Sequence, residues 1–342
     1  MRRYIALFLF TFLGLASESS AQDLRKAVRG GDVGLVKSLL ESGRDANLTY
    51  ENELTSIYVA DKLEIVELLL AHGAKLDIRD RATRQSPIEN AAQNFSRCRD
   101  DKQRGEWKEI VERLQKAGAE YTIDTAIYMN DIEFVRNKLN IDDSWVNDRK
   151  EAQSVPLKVA AETGCVEICK LLLEHKADPD AFEECGGFSI MVYAAEHPAI
   201  VKLLIEYGAN LRRRITWHGF RSGVWFIGNE ASILHHVVAE GNPESVKLLL
   251  DAGIDPTVTD VDGQTPLHIA VRFERWKRGQ TFPNEKEETV TSSFEEIIKL
   301  LVDNDASLAF TNNKNETPLQ LAERLESPES IIDLLVKRRK RR

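Results

Sequence analysis

The stretch Asp262-Gly263-Gln264-Thr265-Pro266-Leu267-His268-Ile269-Ala270 decides the fold. Asp-Gly is a turn signal, Thr265 carries the hydroxyl of a helix cap, and Pro266 suits the first helical position, whose N–H would have no partner anyway. The segment therefore reads as a tight turn feeding directly into a helix. Asn315-Glu316-Thr317-Pro318-Leu319-Gln320-Leu321-Ala322 repeats it, with Asn in place of the turn glycine. Ser154-Val155-Pro156-Leu157-Lys158-Val159-Ala160-Ala161 and Ser232-Ile233-Leu234-His235-His236-Val237 are more divergent copies.

A second segment follows each of these, as in Glu64-Ile-Val-Glu-Leu-Leu-Leu, Glu167-Ile-Cys-Lys-Leu-Leu-Leu and Glu244-Ser-Val-Lys-Leu-Leu-Leu. Nine variants occur, with their third residues at 36, 66, 111, 135, 169, 201, 246, 298 and 332. Apolar side chains recur within them at i, i+3 and i+4 and at adjoining positions, so a broad face is buried, as a helix wedged between neighbours requires. Several end at Gly73-Ala74, Gly118-Ala119, Gly208-Ala209 and Gly253-Ile254, where glycine can take the left-handed conformation that stops a helix. The period underlying the nine units is close to 33 residues.

A turn and two helices in such a period, with Thr265-Pro-Leu-His-Ile-Ala270 as a near-complete signature, resembles the ankyrin repeat family. The resemblance implies an all-α solenoid of about nine helix-turn-helix units with hairpin-like fingers, and a role in binding proteins. It also implies that His235 and His268, at the signature histidine position, tie a finger to a helix. Two departures stand out. The first unit begins at Asp23 without a finger, and the short step from Val111 to Val135 leaves no room for one, so a seam or kink is expected near residue 122. The expected organisation is a signal peptide at 1–21, repeats one to three at 22–121, repeats four to nine at 122–336 in one continuous stack with them, and a basic tail at 337–342.

The chain of 342 residues is 42% hydrophobic, 30% charged and 7% aromatic, a composition that excludes a disordered, collagenous or polytopic membrane protein. Its net charge of −9 argues against a surface built for nucleic acid. Met1-Arg2-Arg3 followed by the apolar run Tyr4 to Ala16 and by Ser19-Ser20-Ala21 has the layout of a secretory signal cut after Ala21. The run is shorter than the roughly 20 residues a membrane-crossing helix needs. The expectation is an exported monomer, periplasmic or extracellular, with no membrane span in the mature chain. Lys337 to Arg342 is a run of six cations. It reads either as a polyanion or membrane-surface contact, or as charge that complements the C-terminal dipole of a preceding helix.

Interruptions of a solenoid often mark its working face. The finger between Asn210 and Ala231 is lengthened and holds Arg212, Arg213, Arg214, Trp217, Phe220, Arg221, Trp225 and Phe226. Trp and Arg dominate binding hot spots, so these eight are the candidate partner-binding residues; the alternative is a local aromatic cluster covering neighbouring helices. Two further insertions, Phe95 to Trp107 and Arg272 to Ser293, fall between the helices of a unit. They are expected to project from the edge opposite the fingers, the second as a solvated loop.

No nucleophile, carboxylate pair or phosphate loop accompanies the histidines, and neither CxxC nor a zinc-type His pair occurs. Cys165 and Cys169 read as reduced core residues, and Cys98 and Cys185 as loop residues about two units apart, beyond bridging distance unless their loops bend together. No catalytic residue, cofactor or metal is expected. The rival reading, an enzyme or accessory subunit with a groove site, rests on His218 in the long finger and His197 in a shortened turn, both off the repeat pattern. Asn47, Asn94 and Asn315 head N-x-S/T glycosylation patterns, the third inside a repeat turn.

Overall fold

The computed structural model of the chain describes residues 24–49, 54–147, 155–181, 189–215, 227, 230–279 and 287–339. The chain divides between residues 153 and 154 into two compact units. Nine helix pairs follow one another among the described residues. In the first unit these are α1 (24–29) with α2 (Val33–Glu41), the 3-10 helix Ser56–Val59 with α3 (Leu63–Ala71), α4 (Pro87–Arg97) with α5 (Asp101–Lys116), and α6 (Ile123–Tyr128) with α7 (Ile132–Ile141). In the second they are α8 (Pro156–Thr163) with α9 (Val166–Glu174), α10 (Ile190–Tyr193) with α11 (Pro198–Glu206), and α12 (Ile233–Glu240) with α13 (Pro243–Asp251). The last two pairs are α14 (Pro266–Gly279) with α15 (Glu287–Asp303), and α16 (Pro318–Arg324) with α17 (Glu329–Arg339). The second unit forms two rows, first helices α8, α10, α12, α14 and α16 in contact in order, and second helices α9, α11, α13, α15 and α17 likewise. This is the all-α repeat solenoid that the period implies.

The second helices are held by the residues that mark the repeat. Val36, Val66, Val111, Val135, Cys169, Val201, Val246 and Ile298 are all buried. Ile332, the anchor of the ninth unit, is half-buried. Each fully buried branched aliphatic side chain contributes roughly 1.5–3 kcal/mol, so the repeating anchor supplies much of the driving force.

Helix starts follow the sequence signals. Ser86 and Glu89 form a reciprocal capping box at α4, and Thr317 and Gln320 do the same at α16. Asp32, Asp100, Asp131 and Asn242 accept from the third residue of the second helices they precede. Helix ends follow the glycines. At Gly73, with φ of 77°, the chain turns so that Ala74 N–H reaches Leu69 O at 3.0 Å. The same closure occurs without glycine at Lys176 and Asp305, whose φ values are 64° and 67°.

One expectation about the interruptions needs correction. Within the segment Arg272 to Ser293, expected as a solvated loop, residues 272–279 continue α14 and residues 287–293 belong to α15, while 280–286 lie outside the described residues. Phe273 and Glu274 are buried, and Glu274 pairs with Arg278 one turn later at 2.9 Å, which carries the helix onward. The insertion Phe95 to Trp107 is likewise taken up by longer helices, with residues 98–100 between α4 and α5 and Arg104 lying over the Phe95 ring. Near residue 122, where a finger is missing, packing runs on: Thr122 Oγ1 donates to Glu89 Oε1 at 2.9 Å and Gln93 Nε2 to the Tyr128 hydroxyl at 2.8 Å.

Candidate functional site

The finger side of the second unit is built on two histidine braces. At α12, Nδ1 of His235 accepts from the Ser232 backbone N–H at 3.2 Å, and the Ser232 hydroxyl lies 2.8 Å from it. Nε2 must then carry the proton, since its other neighbour, at 2.9 Å, is the Gln264 carbonyl of the next finger. His268 repeats this one unit on, with Thr265 at Nδ1 and the Glu316 carbonyl 3.0 Å from Nε2. Each imidazole therefore caps its own helix and ties down the next finger, the role that the resemblance implies. Burial pushes both imidazole pKa values down, that of His235 to about 4, which favours the neutral form.

The long finger rises from a two-stranded stem in which β1 (Arg214–Ile215) pairs antiparallel with β2 (Ala231–Ser232). Of the eight candidate binding residues, Arg212, Arg213 and Arg214 lie among the described residues; Trp217, Phe220, Arg221, Trp225 and Phe226 lie outside them, as does His218. Arg213 Nη1 donates to the Asp180 carbonyl at 2.8 Å, and Arg214 Nη1 to the carbonyls of Glu230 and Thr259 at 3.0 and 2.6 Å. These two arginines stitch together the bases of three successive fingers, while Arg212 is exposed. Asp180 adds to the seam by accepting from the Asn210 N–H at 2.8 Å.

The other residues off the repeat pattern find structural settings. His197 precedes α11, with its ring against the turn at Gly164; a Cβ on that glycine would meet Cε1 at 2.7 Å. Cys165 and Cys169 are buried and unbridged, and burial raises the Cys169 thiol. Cys98 is also unbridged, and Cys185 lies outside the described residues. α17 is described to Arg339, so its backbone includes Lys337, Arg338 and Arg339 of the basic run, and residues 340–342 lie outside the described residues.

Sequence reasoning missed one cluster. Arg272, Arg275, Trp276 and Gly279 fall at i, i+3, i+4 and i+7 on α14, one face of the helix. With Lys314 in the turn of the last finger and Arg324 and Leu325 at the end of α16, they line a groove of about 470 Å³. Phe273 meets Trp276 edge-on, with ring centroids 5.8 Å apart. Arg324 is paired with Glu316, whose carboxyl it holds below the usual range. The signal was present in the spacing, which continues the helical pattern of residues 266–271.

Helix pairs stacked in two rows, with braced fingers along one edge, define a repeat solenoid of the class that recognises other proteins. The chain belongs to the ankyrin repeat family. Models described as ankyrin repeats match residues 123–215 (three copies), 234–278 (many copies) and 262–313 (a single repeat). Similar curated proteins include the E3 ubiquitin-protein ligase KEG of Arabidopsis thaliana, 32% identical over 134 residues, 37% of this chain and 8% of that protein. The B-cell lymphoma 3 protein homolog of Mus musculus is 33% identical over 116 residues, 33% of this chain and 23% of the relative. Protein phosphatase 1 regulatory subunit 12A of the same species is 30% identical over 105 residues, 31% and 8% respectively. The chain spans less than a quarter of each of these relatives. Ankyrin repeats imply protein partners, and no helix among the described residues is long and apolar enough to cross a membrane.

Proposed function

We propose that this chain is an exported, non-catalytic scaffold that captures a partner protein through its finger side and the first-helix face of its second unit. The observation that carries the reading is the stem of the long finger, β1 paired with β2, which Arg213 and Arg214 brace against both neighbouring fingers. A braced base beneath a sequence rich in Trp and Arg suits a binding element, because the stem needs no ordering when a partner arrives.

The stem makes a clean test possible. Ile215 pairs with Ala231, so an Asn-Gly turn can replace residues 216–230 and close the hairpin in register. The full chain, used as bait in an extract of the cells that make it, is expected to retain a partner that the replacement variant loses, with an unchanged unfolding temperature in both. Retention of the same partner by the variant would remove the finger from the binding surface.

Export has a separate check. Among the described residues the first buried one is Leu24, which lies beyond the proposed cut after Ala21. Protein recovered from the periplasm or medium should begin at Gln22 by intact mass. Recovery only from the cytosol with residues 1–21 attached would end this part of the proposal.

A further inference from the structure

The groove between α14 and α16 has a chemical character that its setting lacks. The protein carries a net charge of −9, yet the groove walls present Arg272, Arg275, Lys314 and Arg324 and no carboxylate. The clefts of comparable size in the first unit differ. One, of about 460 Å³, mixes Glu109 and Glu112 with Arg113 and Lys116; another, of about 410 Å³, mixes Asp77 and Glu120 with Arg79. One cation of the α14 groove is fixed by a carboxylate, and the others stand on ordered backbone. Arg324 is fixed by Glu316, Lys314 stands in a turn whose N–H is bound by Asn312 Oδ1 at 2.9 Å, and Arg275 lies over Gly279. Arg272 is half-buried beside them; burial first, and the neighbouring Arg324 charge second, lower its pKa against the opposing pull of Glu316, Asp260 and Asp262.

We infer that this groove binds an acidic segment of a partner protein, with Asp and Glu carboxylates against Arg275, Lys314 and Arg272 and an apolar or aromatic side chain against Trp276. This rests on the protein-capture reading and names the chemistry of the partner. Four cations around a single concave site with an indole on its wall suit a short peptide. A nucleic-acid backbone would instead favour a basic track along the surface, and the net charge of −9 weighs against one. Guanidinium groups recognise carboxylates through two parallel hydrogen bonds, and concave low-dielectric walls strengthen the attraction.

The test uses the full chain and a fluorescein-labelled deca-glutamate peptide with one central tryptophan, read by anisotropy. Binding is expected, weakening steeply as salt rises from low to physiological strength because the Debye length shortens to about 8 Å. The double charge reversal Arg275→Glu/Lys314→Glu should weaken it about tenfold or more at an unchanged unfolding temperature, since both side chains are exposed. Trp276→Ala should lower affinity for this peptide more than for plain deca-glutamate. Equal binding by wild type and double variant, or no binding to wild type, would overturn the inference. So would tighter binding of a ten-nucleotide thymidine strand at the same groove, which would make the site one for nucleic acid. The Asn-Gly finger variant should bind the peptide like wild type. Failure of the groove thus shows in the peptide assay, and failure of the finger shows in partner capture.

Discussion

Phe294→Ala is expected to lower the unfolding free energy of the second unit by about 3–5 kcal/mol, the usual cost of removing a buried aromatic ring. Phe294 is 1% exposed in α15, and its ring closes on the turn between α12 and α13: a Cβ on Gly241 would lie 3.2 Å from both Cε2 and Cζ. The turn is already constrained, since Gly241 has φ of 84°, where a non-glycine residue costs about 1–2 kcal/mol. Truncating the ring leaves a cavity beside this turn, and the cost within the range is set by how far the neighbours relax into it. Phe310→Ala is the matching control, because that ring is 45% exposed in a finger and should change stability by no more than about 0.5 kcal/mol. Urea unfolding of both variants gives the comparison; equal midpoints for the two would contradict the packing.

The second large effect is a loss of stability in mild acid. The His235 pKa falls from 6.5 to about 4 on folding because burial disfavours the charged ring. The groups around it partly oppose one another, the Gln264 carbonyl and Asp260 favouring the cation, Arg214 and His268 disfavouring it. A base whose pKa is lower in the folded state takes protons preferentially in the unfolded chain. Its contribution is therefore whole above pH 6.5 and is withdrawn as pH falls toward 4, by about 3 kcal/mol in total. His268 shifts the same way and adds to the slope. His235→Gln isolates the effect, because Gln320 already serves as the reciprocal cap at the equivalent place in α16. The variant should lose stability at pH 7 through its missing link to Gln264, yet show a clearly shallower fall between pH 6.5 and 4. Parallel curves for the two proteins would exclude His235 as the titrating brace.

Both results come from the same construction. Each histidine and each anchor residue acts across the boundary between repeats, so stability in such a stack is a sum of local pairs and their interfaces. A lost brace is felt by the two units it joins. The same logic separates the arginines of the long finger from those of the α14 groove. Arg213 and Arg214 bind backbone carbonyls of adjacent fingers, whereas Arg275 and Lys314 are exposed at the rim of a cavity.

The nine units, their buried anchors and the signature histidines were legible in the chain itself. They depend on periodicity, caps and turn residues that act within a few positions of each other. The missing finger near residue 122 was legible as a spacing, but not that packing would continue through it by way of Glu89 and Tyr128. Residues 272–279 misled because their charge and polarity resemble a loop, while the burial of Phe273 and Glu274 that keeps them helical comes from neighbouring helices. Which cations brace the fold and which face a groove was decided by stacking alone. Arg214 and Thr259, or Arg275 and Lys314, stand some forty residues apart in sequence, and only the superposition of one repeat on the next brings them into reach.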